Sequence, residues 1–387
     1  MMDSKLNAII RDNNLYQCLE CGKCATACPR CLSGKEYSPR LLAHKVIADR
    51  EDEAFIENAV WECFTCDLCS ERCPSGVKFS NFILEMREYL ALTKGLKGYR
   101  AHDGAIHSWM RMMALPELKQ NRLGWVTEDL RVKKTGEVAY FVGCAPYFDV
   151  FFSGIELDTL SIAKDSIRIL NFLDIEPVLL PDERCCGHDL LLTGDVKNFT
   201  ALCRLNYAAF KEAGVKEVIF SCPEGFYIWK EYMPRLCPGF DIKITLLIDL
   251  LEREVERGGL SFRSMSERVT FQDPCRLARM LDRADVPRKL LGFIPDLRLV
   301  EMEHFGRGAI CCGNSGFINC DAYSKYIQIN RLQEARHTKA HTVVTACPKC
   351  MIHLKCAMRD KVRGKGWQFE LCDIQSLLAR QLIWYGG

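Results

Sequence analysis

The sequence has no run of roughly 18 or more apolar residues, so no segment reads as a membrane-spanning helix. The opening stretch, MMDSKLNAIIRDNNLYQC, is polar and lacks the apolar core of a secretory signal. Charge of either sign is not in excess: 52 Lys and Arg stand against 50 Asp and Glu, a net +2. That balance offers no basic footprint for nucleic acid. Neither G-x-x-x-x-G-K-[ST] nor G-x-G-x-x-G occurs in a strand–helix setting, so no nucleotide or flavin is expected on this chain. These absences favour a cytoplasmic protein that reaches a membrane only through a partner. What is abundant is cysteine: 23 in 387 residues. In a reducing compartment, clustered thiols are metal ligands or catalytic groups more often than disulfides.

Two runs are densest, CLECGKCATACP and CFTCDLCSERCP. Each reads C-x2-C-x2-C-x3-C-P, the spacing of bacterial ferredoxins with two [4Fe–4S] clusters. Soft thiolates suit iron in a sulfide cage. In that arrangement the fourth cysteine of each run serves the other cluster. The expected ligand sets are therefore crossed: Cys18, Cys21, Cys24 and Cys73 for one cluster, Cys63, Cys66, Cys69 and Cys28 for the other. Pro29 and Pro74 end the loops, and Gly22 permits close approach of the backbone. A zinc pair is the plainer alternative, but zinc takes C-x2-C pairs far apart in sequence rather than four cysteines in one tight run. Cys31 lies outside the pattern and reads as structural or incidental. Apolar residues at helical spacing, Leu41, Leu42, Val46, Phe55, Ile56 and Val60, join the two runs.

Beyond a Met- and Trp-rich helical connection, a longer pattern repeats. EVAYFVGC ends in Cys144, RCCG carries Cys185 and Cys186, and EVIFSCPEG carries Cys222. RVTFQDPC then ends in Cys275, ICCGNSG carries Cys311 and Cys312, and TVVTACPKC carries Cys347 and Cys350. The separations agree: 41 residues from Cys144 to Cys185 and 36 from Cys275 to Cys311, then 36 from Cys186 to Cys222 and 35 from Cys312 to Cys347. A repeat on this scale implies two copies of one structural unit. Strands alternating with helices imply α/β units with parallel sheets and with cysteines at strand ends. The fold class is thus mixed α/β and multidomain. A helical ferredoxin-type domain (residues 1–98) and a helical connection (99–136) precede two pseudo-symmetric α/β units (137–260 and 261–387).

These motifs resemble the cysteine-rich CCG domain of the heterodisulfide reductase B subunit. Preceded by a two-cluster domain, the chain resembles the C–B fusion of the D subunit, and also the iron–sulfur subunits of glycolate oxidase and related complexes. The resemblance implies a non-cubane [4Fe–4S] cluster on Cys275, Cys311, Cys312, Cys347 and Cys350. Gly313 would free the backbone at the adjacent cysteines. The first copy departs from the family: Gly225 stands where its last cysteine belongs. Cys144, Cys185, Cys186 and Cys222 remain, and a further iron–sulfur cluster is favoured there over zinc.

Beside these thiols, His188 and Asn314 are candidate hydrogen-bonding groups, and Lys349 a candidate counter-charge. His353 reads as core, Asp273 as a turn residue. Cys203, Cys237, Cys320, Cys356 and Cys372 are expected to be buried small hydrophobes. The resemblance implies an electron-transfer subunit that works with flavin- or iron–sulfur-containing partners like the heterodisulfide reductase A subunit. A flavin-based bifurcating complex such as class II benzoyl-CoA reductase is one setting. The alternative is a catalytic subunit that reduces or forms a disulfide or thiol substrate at the second CCG site.

Overall fold

The computed structural model describes residues 4–48, 53–98, 101–362 and 366–383. Within the helical connection expected over 99–136, residues 99 and 100 lie outside the described residues. The remainder is helical only as far as the helix Ala105–Met112, and turns follow it. The chain folds as two compact units. One comprises Met1–Met112, Gly187–Phe199 and Ile310–Arg331; the other comprises Met113–Cys186, Thr200–Ala309 and Leu332–Gly387.

The first unit is helical. Ser4–Asp12, Pro39–Ala48, Glu53–Glu62 and Phe79–Lys94 are its longer helices. They enclose a core of Ile10, Leu15, Leu42, Val46, Val60, Phe82 and Ile83, which also takes in Cys63 and Cys69. Short helices Lys23–Ala27, Pro29–Leu32 and Leu68–Glu71 carry the cysteine loops. Gly22 precedes the first of these with φ +79°, and Cys28 caps the second with Pro29 at its first position. Proline fits there because the first helical N–H has no partner inside the helix.

The second unit holds two parallel sheets. β1 (Val138–Phe141), β2 (Glu217–Phe220) and β3 (Lys243–Leu246) lie in the order β1-β2-β3, and Val178 bridges to β1 in parallel. β4 (Arg268–Gln272), β5 (Arg298–Leu299), β6 (Thr342–Thr345) and β7 (Glu370–Asp373) lie in the order β5-β4-β6-β7. With Val178 counted beside β1, the two orders are the same. β6 is buried along its whole length, as a strand in a covered parallel sheet must be. The contacts between the repeats are reciprocal. Leu160–Phe172 of the first packs on Ile374–Gln381 of the second, and Asp285–Gly292 of the second packs on Leu247–Glu256 of the first.

Candidate iron–sulfur centres

In the helical unit, the eight ferredoxin-type cysteines fall into two groups. The Cys24 thiol is raised by burial and then by the charges of Cys18 and Cys73. Cys69 is raised well above the ordinary range by burial and by the charges of Cys63, Cys66 and Cys28. Burial pushes Cys63 up to about 12. Each run's fourth cysteine thus sits with the other run's thiols. The groups differ in access: Cys21 is exposed, and Cys18, Cys24 and Cys73 are half-buried, whereas Cys63, Cys66 and Cys69 are buried, with Cys28 half-buried beside them. Thiols that converge in apolar surroundings stay protonated unless a cation offsets them, so this donor set fits an iron–sulfur cage.

Cys31 is more engaged than its sequence position suggests. A hydrogen bond to Cys28 lowers its thiol, and its Sγ lies 2.8 Å from the Tyr37 carbonyl.

Two buried arginines brace these loops, and neither is evident from spacing. Arg30, one residue beyond Pro29, is 1% exposed. It pairs with Glu62, beside Cys63, and with both oxygens of Asp321 at 3.0 and 2.9 Å. Arg87 donates to the carbonyls of Val60, Cys63 (2.6 Å) and Leu192 (3.0 Å). The Ile310–Arg331 segment belongs to the same unit. Asn319 donates to the Trp61 carbonyl at 2.7 Å, and Thr65 Oγ1 meets Ser315 Oγ at 3.5 Å.

That segment also carries Cys311 and Cys312, both buried. Their sulfurs lie 3.7 and 3.9 Å from the Asn314 carbonyl oxygen. The Asn314 side-chain amide, expected to serve the thiol site, instead donates to the Asn319 carbonyl. Gly313 has φ +95°, and a Cβ there would lie 2.5 Å from Gln328, so the turn needs glycine. His188 is buried with its Nδ1 2.8 Å from Asp189.

In the sheet unit, the first CCG group is assembled. Cys144 and Cys185 sulfurs lie 3.3 Å apart. Burial drives the Cys222 thiol well up, followed by the charges of Cys347, Glu224 and Cys186. Glu183 accepts from Gly143 N at 2.7 Å and from Arg122 at 2.6 Å, tying the Cys144 and Cys185 loops together. Burial raises its carboxyl. Arg122 comes from the turn-rich connection and carries no sequence signal. Asn206 holds the Arg184–Cys185 backbone at 2.8 and 3.1 Å.

Cys275, Cys347 and Cys350 also lie in the sheet unit, while Cys311 and Cys312 lie in the helical one. Cys222 and Cys347 each cap a helix that opens with proline. Lys349 is buried and pairs with Glu224 at 2.5 Å. The two hold the same position in CPKC and CPEG, one repeat supplying each. His353 is buried on Pro348–Met358, in keeping with a core role. Asp273 is not a solvated turn residue. It is 2% exposed and takes a bidentate pair from Arg288 at 2.7 and 2.8 Å. Among the five unassigned cysteines, Cys203, Cys237 and Cys372 are buried as expected, but Cys320 is exposed and Cys356 half-buried.

Comparison with known proteins agrees with these features. The cysteine-rich (CCG) domain model matches residues 138–226 and 269–355, and the 4Fe-4S dicluster domain model matches residues 14–77. The chain is a CCG iron–sulfur protein, with one dicluster domain followed by two cysteine-rich domains. Its cofactors are those of these domains: [4Fe–4S] clusters and the non-cubane cluster of the CCG type. Among its relatives is the D subunit of the dihydromethanophenazine:CoB–CoM heterodisulfide reductase of Methanosarcina acetivorans, 29% identical over 68% of this chain. A probable glycolate oxidase iron–sulfur subunit of Bacillus subtilis is 24% identical over 94% of both chains. The match spans 63%, 58% and 63% of the length of the three Methanosarcina reductase chains. A hypothetical protein from Helicobacter pylori shares the fold, with TM-score 0.53 and 12% identity over 88% of this chain and 67% of that one. No described helix is long and apolar enough to cross a membrane.

Proposed function

We propose that this chain is an iron–sulfur electron-transfer subunit of a larger oxidoreductase related to heterodisulfide reductase. The crossed sets Cys18, Cys21, Cys24, Cys73 and Cys63, Cys66, Cys69, Cys28 would hold the two [4Fe–4S] clusters. Cys275, Cys311, Cys312, Cys347 and Cys350 would hold the non-cubane cluster, and Cys144, Cys185, Cys186 and Cys222 a further one. When bound, such clusters supply one-electron transfer.

One observation carries the reading. The segment with Cys311 and Cys312 shares a compact unit with the dicluster thiols, and Thr65, between Cys63 and Cys66, reaches Ser315. The exposed group around Cys21 is then the point of electron exchange with a partner, and the buried group faces the second CCG loop. The partners proposed are flavin- or iron–sulfur-containing subunits, as in a bifurcating complex of the class II benzoyl-CoA reductase kind. Support for a relay comes from Gly225, which leaves the first site without the family's fifth thiol.

Rapid mixing with a reduced protein donor tests this order. In Cys69→Ser, the exposed group should still reduce while the CCG signal fails to form. Unchanged CCG reduction overturns the order.

A second reading is supported by the complete five-cysteine set of the second copy: a catalytic site for a thiol or disulfide. A thiol-dependent paramagnetic signal on oxidation would favour it, and absence of that signal would favour the relay. Iron analysis should give about sixteen atoms for four clusters of four, and about twelve if the first site is empty or holds zinc.

A further inference from the structure

The sheet unit buries a carboxyl that none of the centres uses. Asp373 closes β7, is 1% exposed, and caps the helix Ile374–Gln381 by accepting from Gln375 N at 2.9 Å through Oδ1. Its other oxygen, Oδ2, is buried with no hydrogen-bond partner. No cation pairs with it among the described residues. An ionised carboxylate in such a place lacks the compensation that burial of a charge requires.

The surroundings connect Asp373 to the first repeat. Gln375 Nε2 lies 3.4 Å from the carbonyl of Ser221, the residue before Cys222. Ser221 Oγ meets Tyr140 OH at 2.7 Å. Tyr140 is fully buried, its phenol is raised by burial, and the charge of Asp373 acts on it. The charged and titratable groups on the packed elements are few. Leu160–Phe172 supplies Asp165, whose charge acts on Asp373, together with Lys164 and Arg168. Ile374–Gln381 supplies Arg380, paired with Glu370 at 2.8 Å, and β7 supplies Cys372. Pro348–Met358 supplies Lys349, already paired with Glu224, and Cys350, His353, Lys355 and Cys356. β6 supplies none. Burial pushes the Asp373 carboxyl up to about 8, which agrees with the missing counter-ion.

We propose that Asp373 is a proton-exchange site coupled to the first CCG centre, a carboxylic acid held neutral at physiological pH. Each electron delivered to that centre by a low-potential one-electron donor raises the local negative charge. Where Asp373 is ionised, the added charge draws one proton from solvent onto its Oδ2; reoxidation returns that proton to solvent. The second half of the proposal rests on the first centre holding a redox cluster.

Two measurements on the full-length chain separate the claims. Infrared difference spectra should show a protonated carboxyl band in the wild type at pH 7 that is lost in Asp373→Asn. No such band overturns the neutral acid, whatever metal is bound. Potentiometric titration with titanium(III) citrate from pH 6 to 10 should show a first-centre midpoint that turns pH-dependent near 8. In Asp373→Asn that break should vanish. A break that persists in the variant overturns the coupling. A retained infrared band with iron near twelve overturns the cluster reading and the coupling with it, leaving the proton site standing.

Discussion

The two cysteine-rich repeats share a strand order and a Cys–Pro helix start, yet they build different floors beneath their thiols. In the first, Phe141 and Phe220 end the two central strands and stack at 5.0 Å, with Trp229 closing on both. In the second, the equivalent residues are Gln272 and Thr345, joined by Thr345 Oγ1 donating to the Gln272 carbonyl at 2.9 Å. Gly225 lies against the aromatic floor of the first repeat; Cys350 holds the corresponding position in CPKC. A Cβ on Gly225 would stand 3.4 Å from the Phe220 ring, in contact with the aromatic wall. Loss of the fifth cysteine is therefore more than one missing sulfur. The space is apolar core, which stabilises the repeat through aromatic packing. One repeat carries four of the motif cysteines over an aromatic wall, while the other carries five.

The largest effect that tests this difference is loss of a centre. Cys312→Ser should remove about four irons and the CCG signal, leaving the dicluster signals intact. Joint loss of all clusters would contradict the division of labour.

Next comes the tethering of the two CCG loops within the helical unit. Asp321 of the second loop is held by buried Arg30. Asp195 of the first is held by Arg111 at 2.7 Å, with side chains 23% and 18% exposed. Arg30→Met leaves buried Glu62 with Lys35 alone, at 3.3 Å, and frees Asp321, and should cost about 3 kcal/mol in denaturant unfolding. Arg111→Met should cost no more than about 1 kcal/mol. Equal costs would show that the two loops are held alike.

A smaller effect is expected from grafting one floor onto the other. In Gly225→Cys alone the new Cβ makes ordinary van der Waals contact with the Phe220 ring, so the side chain stands on the aromatic wall and the iron content should stay unchanged. Gly225→Cys with Phe220→Thr opens the wall, and iron analysis should then show fuller occupancy of the first site. Fuller occupancy in the single variant would mean that the wall does not matter.

Smallest is a pH effect. Arg30 and the Ser324 amide offset burial and hold the Asp321 carboxyl down at about 2. A depressed carboxyl stabilises the fold above its unfolded value and loses that contribution as pH falls toward 2. Acid unfolding of Asp321→Asn should therefore be flatter than wild type between about pH 4 and 2.

Much of the site was legible because cluster ligation is written in local spacing. The crossed dicluster groups, the strands before Cys144, Cys222, Cys275 and Cys347, and the departure at Gly225 all follow from short motifs. What could not be read depends on partners far along the chain. Lys349 read as a counter-charge to a cluster because its partner Glu224 lies more than a hundred residues away, and Asp273 read as a turn residue because no local motif announces its pairing with Arg288. Arg30, Arg87 and Arg122 resemble surface arginines until the carbonyls and carboxylates they gather are known. β3 and β7 lead into no cysteine motif, so nothing in the repeat marks them.

The segments Gly187–Phe199 and Ile310–Arg331 fold with the helical unit although the sequence places them inside the CCG repeats. Trp61, Leu192 and Ile318, one residue from each stretch of that unit, form a single apolar cluster. A fragment ending at Met112 would lack two of the three and leave the Arg87 guanidinium without its Leu192 acceptor. Gene dissection along the motif boundaries is thus expected to yield an unstable piece rather than a working ferredoxin. In evolutionary terms, a fusion stitched in this way is hard to reverse: neither half can be exchanged or lost without unpicking the other.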